Sequence, residues 1–180
     1  MIFPMVWIGR RLIDIKPTID QAIWVTTVVH TIVMALFGTA VLKAIQTGDT
    51  WRGLVISFPR SLSITLVYVT TAFTMLTIAN LAVRGLGAPL IIPLSRRVVT
   101  DWLYSWTRNP MILSTLACLV AIGLWFQSLF FLIWVLGLVT PSWIMFLRVY
   151  EERELEIRFG DAYRTYKAKT PFLWPKKPRV

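Results

Sequence analysis

Two apolar runs in the second half of the chain leave few choices for its fold. Residues 111–125 and 129–149 are separated only by Phe126-Gln127-Ser128. Apolar segments joined this tightly are predicted to form an antiparallel helical hairpin. The residues that enter the hairpin, Arg108-Asn109-Pro110, and those that leave it, Glu151-Glu152, must then lie at the same end. The hairpin therefore predicts one polar site made from two pieces of sequence.

The composition indicates a membrane protein. Of the 180 residues, 56% are hydrophobic and 16% are charged, and the mean hydropathy is +0.64. These values are too apolar for an ordinary soluble domain of this size. The net charge of +10 does not indicate a nucleic-acid partner, because the basic residues flank apolar segments and crowd the C-terminus. We expect one all-α, polytopic membrane domain over residues 1–180.

Four apolar segments are predicted to span the membrane, each from its hydropathy and flanking residues. They are residues 21–45, 62–83, 111–125 and 129–149. Residues 46–61 contain glycines and a proline and are predicted to be a loop. Residues 1–9 are too short to span and are predicted to be interfacial. Residues 1–83 thus form the N-terminal spans and residues 84–180 a second region.

Several single residues inside this framework have structural interpretations. His30 has no carboxylate or second histidine at helical spacing, so we assign it to helix packing. Cys118 lies in an apolar run and, as the one cysteine, cannot form an intrachain disulfide or a cysteine metal site. Pro141 is expected to kink the fourth span. Residues 84–97, punctuated by glycines and prolines, are predicted to be a re-entrant or surface loop, with a plain linker as the alternative.

The basic residues predict the orientation in the membrane. With four spans, all but three of the 19 basic residues fall on one side, and the exceptions are Lys43, Arg52 and Arg60. The positive-inside rule then places the N-terminus, the central loop and the C-terminal tail in the cytoplasm. Both halves of the polar site would share that compartment.

The C-terminal tail has two possible roles. Its apolar residues have helical spacing, with acidic residues early and basic residues late, which is typical of an amphipathic helix on a membrane surface. Gly160 is expected to bend or divide this helix. However, all four glutamates of the chain, Glu151, Glu152, Glu154 and Glu156, follow the last span directly. Such a concentration of carboxylates beside the Arg108 turn favours a site.

The ordered combination of these motifs resembles a known family. Arg-Asn-Pro-Met, a helical hairpin, Glu-Glu, Phe-Gly, two spaced tyrosines and Thr-Pro look like isoprenylcysteine carboxyl methyltransferases and their phospholipid methyltransferase relatives. The resemblance covers residues 85–175, and upstream of it only hydropathy is informative. The chain departs from the pattern where the family commonly has Gly-Pro-Tyr-Arg, here Trp102-Leu103-Tyr104-Ser105, and where tyrosine follows the methionine, here Ile112. Loss of Gly-Pro is expected to alter the turn.

The resemblance implies methyl transfer from S-adenosylmethionine to a lipophilic acceptor in a bacterial inner membrane. An isoprenylcysteine-like carboxylate and a phospholipid amine are both possible acceptors. Arg108 and Glu152 would be catalytic, no metal is implied, and Thr170-Pro171 would close over the site. The implied cofactor-binding residues are Tyr104, Trp106, Arg108, Asn109, Pro110, Glu151, Glu152, Tyr163 and Tyr166.

Two other classes of function stay open. Sterol reductases have a similar hairpin that binds NADPH, although no arginine cluster beyond Arg108 and Arg148 suits a 2′-phosphate here. A non-enzymatic membrane scaffold or small transporter would need charges along a path or paired broken helices, and neither is evident in the sequence. The acceptor's route is also open, because Ser114, Ala117 and Ala121 could form a groove or simply let helices approach closely.

Overall fold

The structure, a computed structural model, describes residues 2–50, 53–85 and 97–177. In these ranges the regular structure is helical, and one isolated antiparallel bridge joins Val55 to Ser128. The expected all-α fold is confirmed. The loop predicted for residues 84–97 falls mostly on residues outside these ranges.

The N-terminal half consists of three helices. They are α1 (Ile2–Ile15), α2 (Ile19–Thr50) and α3 (Arg60–Gly85). The predicted loop at residues 46–61 begins too early, because α2 continues to Thr50 with Gly48 in its final turns, where one glycine costs only about 1 kcal/mol. The N-terminal segment is also longer than predicted, since α1 runs through Arg10-Arg11 for 14 residues. It remains too short to cross a bilayer.

The C-terminal half contains a short helix, the hairpin and the tail. Helix α4 (Leu103–Trp106) leads to α5 (Pro110–Trp125), which is followed by a long C-terminal helix, Leu129–Phe159. This long helix is composed of α6 (Leu129–Trp134), a first π-helical segment (Val135–Val139), α7 (Thr140–Met145), a second π-helical segment (Phe146–Glu151) and α8 (Glu152–Phe159). The tail forms α9 (Asp161–Lys169).

Three of the described helices are long and apolar enough to cross a membrane. They are Ile19–Gly48, Arg60–Arg84 and Leu129–Phe159. Helix α5 begins one residue before the predicted segment and has only 16 residues, fewer than the roughly 20 that a span needs. Three spans are therefore supported by length and composition, and the span predicted at residues 111–125 stays a prediction.

Pro141 does not end the long helix. The first π-helical segment lies directly before it, and the Thr140 hydroxyl donates to the Val135 carbonyl at 2.9 Å. The wider π turn changes the backbone hydrogen-bond register where the proline has no N–H to donate. The helix therefore continues through the proline, and the kink expected at Pro141 stays a prediction.

The hairpin is confirmed at Gly123 of α5, where an added Cβ would come within 2.7 Å of the Leu132 side chain in α6. Gln127 has φ +53, its backbone carbonyl accepts a hydrogen bond from the Ile56 N–H at 3.0 Å, and its side chain donates to the Phe58 carbonyl at 3.1 Å. Halfway along the helices, the Thr71 hydroxyl lies 3.4 Å from the Cys118 sulfur. Helices α3 and α5 therefore run antiparallel, with the start of α3 beside the hairpin tip.

Helix α2 packs antiparallel to the long C-terminal helix and builds the apolar core. The Thr26 and Tyr150 hydroxyls are 2.8 Å apart, and the Phe37 and Trp143 rings lie 5.5 Å apart further along. Helix α1 crosses both helices, with Gly9 directly against the Tyr150 ring, where an added Cβ would come within 2.8 Å. These contacts bring together the start of α2, the end of the long helix, residues 97–109 and the tail. We call this the polar end.

Candidate functional site at the polar end

The two motif halves meet in a buried ion pair. Arg108 Nη2 donates to Glu152 Oε1 at 2.5 Å, and both side chains are 11% exposed. Arg108 Nη1 also donates to the carbonyls of Lys167 and Thr170, at 2.8 and 2.7 Å. The prediction that the hairpin brings these two sequence segments to one end is confirmed. The arginine connects the hairpin entrance, the hairpin exit and the tail.

The second oxygen of Glu152 is held by a residue that sequence reasoning missed. Lys167 Nζ lies 2.7 Å from Glu152 Oε2 and 3.0 Å from Glu156 Oε1. Burial alone would lower the pKa of Lys167, but its hydrogen bonds to Glu152 and Glu156 raise it above its usual value. The chain reversal at Gly160, with φ +54, turns α9 back so that Lys167 can reach these carboxylates. Gly160 divides the tail helix as predicted.

The segment after α9 packs on the Arg-Asn-Pro turn. The Arg108 backbone N–H donates to the Pro171 carbonyl at 2.9 Å, and Asn109 Nδ2 donates to the Phe172 carbonyl at 2.8 Å. The buried Thr107 hydroxyl lies 2.9 Å from the Leu173 carbonyl. We call residues 170–173 the tail strap. The predicted role of Thr170-Pro171 as a closing element over the site stays a prediction.

Three predicted tyrosines are buried together. Tyr104, Tyr163 and Tyr166 are each less than a tenth exposed, and the Tyr166 hydroxyl donates to the Tyr104 carbonyl at 2.7 Å. Burial raises the pKa of all three well above the ordinary value, so they remain protonated donors at neutral pH. Trp106, in contrast, is 47% exposed.

Glu151 differs from its neighbouring glutamates. Its side chain is half-buried at the end of the second π-helical segment, and no residue in the described part of the chain forms a hydrogen bond or ion pair with it. Burial is the main cause of the raised pKa of Tyr104 and Tyr163, and a negative charge on Glu151 would raise both further. A buried carboxyl group gains its charge most readily when a cation lies next to it, so Glu151 is a candidate site for a cationic group.

A family comparison covers most of this arrangement. A family model described as phospholipid methyltransferase matches residues 54–162. The chain belongs to the phospholipid methyltransferase family. It is a membrane methyltransferase, and the resemblance stated from the motifs is confirmed. No curated protein and no solved structure matches the chain.

The match to the phospholipid methyltransferase family begins before the motifs on the N-terminal side and ends before the last motifs on the C-terminal side. It begins before α3, where only hydropathy was informative, and it includes Arg108, Asn109, Glu151 and Glu152. It ends at residue 162, before Tyr163, Tyr166 and the tail strap. The comparison therefore does not extend to the strap contacts.

One departure from the family pattern falls on a special backbone conformation. Trp102, at the position where family members commonly have glycine, has φ 54 and ψ −120. The Tyr104 N–H donates to the Asp101 carbonyl at 3.1 Å, which closes a turn of the II′ kind with Trp102 at its first central position. That position favours glycine. The glycine-type conformation is thus present here with a tryptophan side chain.

A second buried polar group lies on the α2 side of the long helix. Arg158 Nη1 pairs with Glu154 Oε1 at 2.7 Å, with side chains 6% and 2% exposed. His30 Nδ1 is 3.2 Å from the Thr26 carbonyl, and its ring meets Phe146 edge-on at 5.3 Å. These contacts agree with the packing role assigned to His30. The spacing of four residues between Glu154 and Arg158 was the available signal for their pair.

Metal-ligating residues do not cluster at the polar end. Nowhere in residues 2–50, 53–85 or 97–177 do three His, Cys, Asp or Glu side chains come together in a way that suits a metal ion.

Proposed function

We propose that the protein transfers a methyl group from S-adenosylmethionine to a lipophilic, membrane-borne acceptor at the polar end. The observation that carries the proposal is Glu151, which lies within the family match and whose half-buried carboxyl group has no hydrogen-bond or ion-pair partner among the described residues. S-adenosylmethionine presents an ammonium and a sulfonium, and carboxylates and aromatic faces are the groups that attract such cations. The residues present therefore fit the cofactor.

The other residues of the implied site have distinct roles in this proposal. Arg108 and Glu152 are already bound to each other, so we assign them to positioning the hairpin entrance against its exit. Tyr104, Tyr163 and Tyr166 line the adenosine side, and Asn109 and Pro110 shape the turn that receives the tail strap. Trp106 is exposed and can contact a ligand only at the rim.

Bound S-adenosylmethionine would supply an electrophilic methyl carbon, whose bond to sulfur breaks, leaving the electron pair on sulfur, as the bond to the acceptor forms. The chain's own contribution is alignment and exclusion of water, for which the tail strap and the buried tyrosines are suited. A carboxylate acceptor needs no base, whereas a phospholipid amine must first release a proton to water at the polar end. Either acceptor fits a site without a catalytic histidine.

Binding of S-adenosylhomocysteine, the stable demethylated product, tests the proposal. Purified protein in nanodiscs should bind it in calorimetric titration, and Glu151→Gln should weaken binding at least tenfold, because a hydrogen bond to a charged group contributes about 1.5–3 kcal/mol. Asp161→Asn is the matched control, since that carboxylate is exposed and pairs only with Arg164 across the described residues. Mass spectrometry of a lipid extract should then reveal a methylated acceptor.

Two results would contradict the proposal. Unchanged affinity in Glu151→Gln would remove this carboxylate from the cofactor site. Binding of NADPH in place of S-adenosylhomocysteine would favour the reductase alternative.

A further inference from the structure

An apolar groove runs along the core-facing side of the long C-terminal helix. It lies between that helix and α2, and its cavity volume is about 80 Å³. One wall is formed by Val33, Phe37 and Ala40 of α2. The other is formed by Trp134, Leu138, Val139, Ser142, Trp143 and Phe146. Except for Ser142, every residue in this lining is apolar.

The groove is aligned with the polar end. Its lining extends from Trp134 to Phe146, which is roughly 18 Å at the α-helical rise. Phe146 begins the second π-helical segment, and that segment ends at Glu151. The upper end of the groove therefore lies about one and a half helical turns below the unpaired carboxylate. Because α2 and the long helix run antiparallel, Ala40 is the lining residue of α2 farthest from the polar end, and we call its position the deep end of this wall.

The chemistry of the lining selects the occupant. A headgroup would find no charge and a single hydroxyl there, and burying a polar group without partners is costly. Hydrocarbon gains from the same surface, at about 25 cal/mol per Å² buried. Leu138 is 53% exposed at the rim, so the groove opens sideways, toward the space that lipid occupies around a membrane helix.

We infer that this groove binds one hydrocarbon chain of the acceptor lipid, and that Ala40 at its deep end sets the longest chain it accepts. The inference rests on the proposed function and names where its acceptor is held. A chain seated between Phe146 and Ala40 would leave the polar head of the lipid at the level of Glu151. Ala40 is then a specificity-determining residue that touches neither cofactor nor headgroup.

The groove between α2 and the long helix fits an acceptor chain better than the groove predicted on α5 from its three small residues. Ser114 and Ala121 are buried, whereas Ala117 is exposed on α5. The three small residues therefore do not line one open surface. Their burial fits close packing of α3 against α5, which also brings the Thr71 hydroxyl beside Cys118.

Ala40→Phe tests the inference because it fills only the deep end of the groove. With phosphatidylethanolamine as the acceptor probe, turnover of the dipalmitoyl lipid should fall at least tenfold, while turnover of the dihexanoyl lipid and affinity for S-adenosylhomocysteine should stay unchanged. Ala35→Phe is the matched control, since Ala35 lies on the same helix but is exposed outside the groove. It should behave like the unmodified protein.

A second readout does not depend on methyl transfer. Phosphatidylethanolamine carrying a diazirine at the end of a palmitoyl chain should label peptides that contain Ala40 or residues 134–139, and Ala40→Phe should abolish that label. Labelling of α3 or α5 instead, or equal effects of Ala40→Phe and Ala35→Phe, would overturn the inference.

If Ala40→Phe loses cofactor affinity, the smaller substitution Ala40→Leu is tested in the same comparison of long and short acyl chains. Groove labelling without methylation of any lipid would sink the proposed function and leave the groove assignment standing.

Discussion

The guanidinium of Arg108 and the carboxylate of Glu152 lie 2.5 Å apart although 44 residues separate them in the chain. Both side chains are almost fully buried, so neither charge has water as a substitute partner. Removing one member of a buried pair leaves the other uncompensated, which typically costs 3–5 kcal/mol. This pair is therefore expected to hold the entrance and exit of the hairpin together.

Arg108→Gln should lower the free energy of unfolding by about 2 kcal/mol, because it leaves Lys167 as the remaining charged partner of Glu152 and weakens the bonds to two tail carbonyls. Denaturant unfolding in detergent micelles measures this change. Arg164→Gln is the control, since its pair with Asp161 is exposed and should contribute at most about 0.5 kcal/mol. Equal effects of the two substitutions would mean that the Arg108 pair is no stronger than a surface contact.

The meeting of these residues could be predicted because it follows from the hairpin alone. Once residues 111–149 fold back on themselves across a three-residue turn, Arg108 and Glu152 must lie at one end. The pairing of Lys167 with Glu152 could not be predicted in the same way. It depends on the direction in which Gly160 turns α9, and a glycine permits several directions.

The lengths of the helices were less predictable than their existence. Gly48 indicated a loop, but it lies near the end of α2, where the loss of helix propensity is small beside the gain from continuing the helix. The two π-helical segments also left no periodic signal, because each adds a single wide turn to an apolar run. The groove beside Phe146 depends on how α2 packs and was not visible in the sequence.

Thr107→Val should loosen the tail strap. The buried Thr107 hydroxyl is the hydrogen-bond donor to the strap carbonyls of Phe172 and Leu173, so its loss leaves them without that partner. Hydrogen exchange of residues 170–177 should accelerate about tenfold, corresponding to about 1.4 kcal/mol. Thr65→Val provides the comparison, because that exposed hydroxyl bonds only to its own helix at the Ser61 carbonyl. Unchanged exchange in Thr107→Val would show that other contacts hold the strap.

Trp102→Gly should stabilise the protein by about 1 kcal/mol. Trp102 has a φ of 54 that side chains rarely adopt, which typically costs 1–3 kcal/mol, and little packing is lost because the ring is 54% exposed. Trp106→Gly is the control: it removes a similarly exposed ring from ordinary helical backbone and should destabilise. A melting temperature that falls in both variants would show that the Trp102 ring contributes more than its backbone conformation costs.

The start of α2 and the C-terminal tail lie at the polar end, and their basic residues predict the orientation of the chain in the membrane. The backbone N–H of Lys176 donates to the Trp106 carbonyl at the polar end, and Lys16 directly precedes the segment that begins α2 at the same end. Ser57, in the loop beside the hairpin tip, lies at the opposite end. Because basic residues concentrate at the polar end, the positive-inside rule predicts that it faces the cytoplasm.

In a Cys118→Ser background, cysteines replacing Lys16 or Lys176 should resist an impermeant thiol reagent in intact cells, whereas a cysteine replacing Ser57 should react. All three cysteines should react after the cells are permeabilised. Labelling of Lys176→Cys but not Ser57→Cys in intact cells would reverse the orientation and separate the proposed site from the cytoplasmic supply of S-adenosylmethionine.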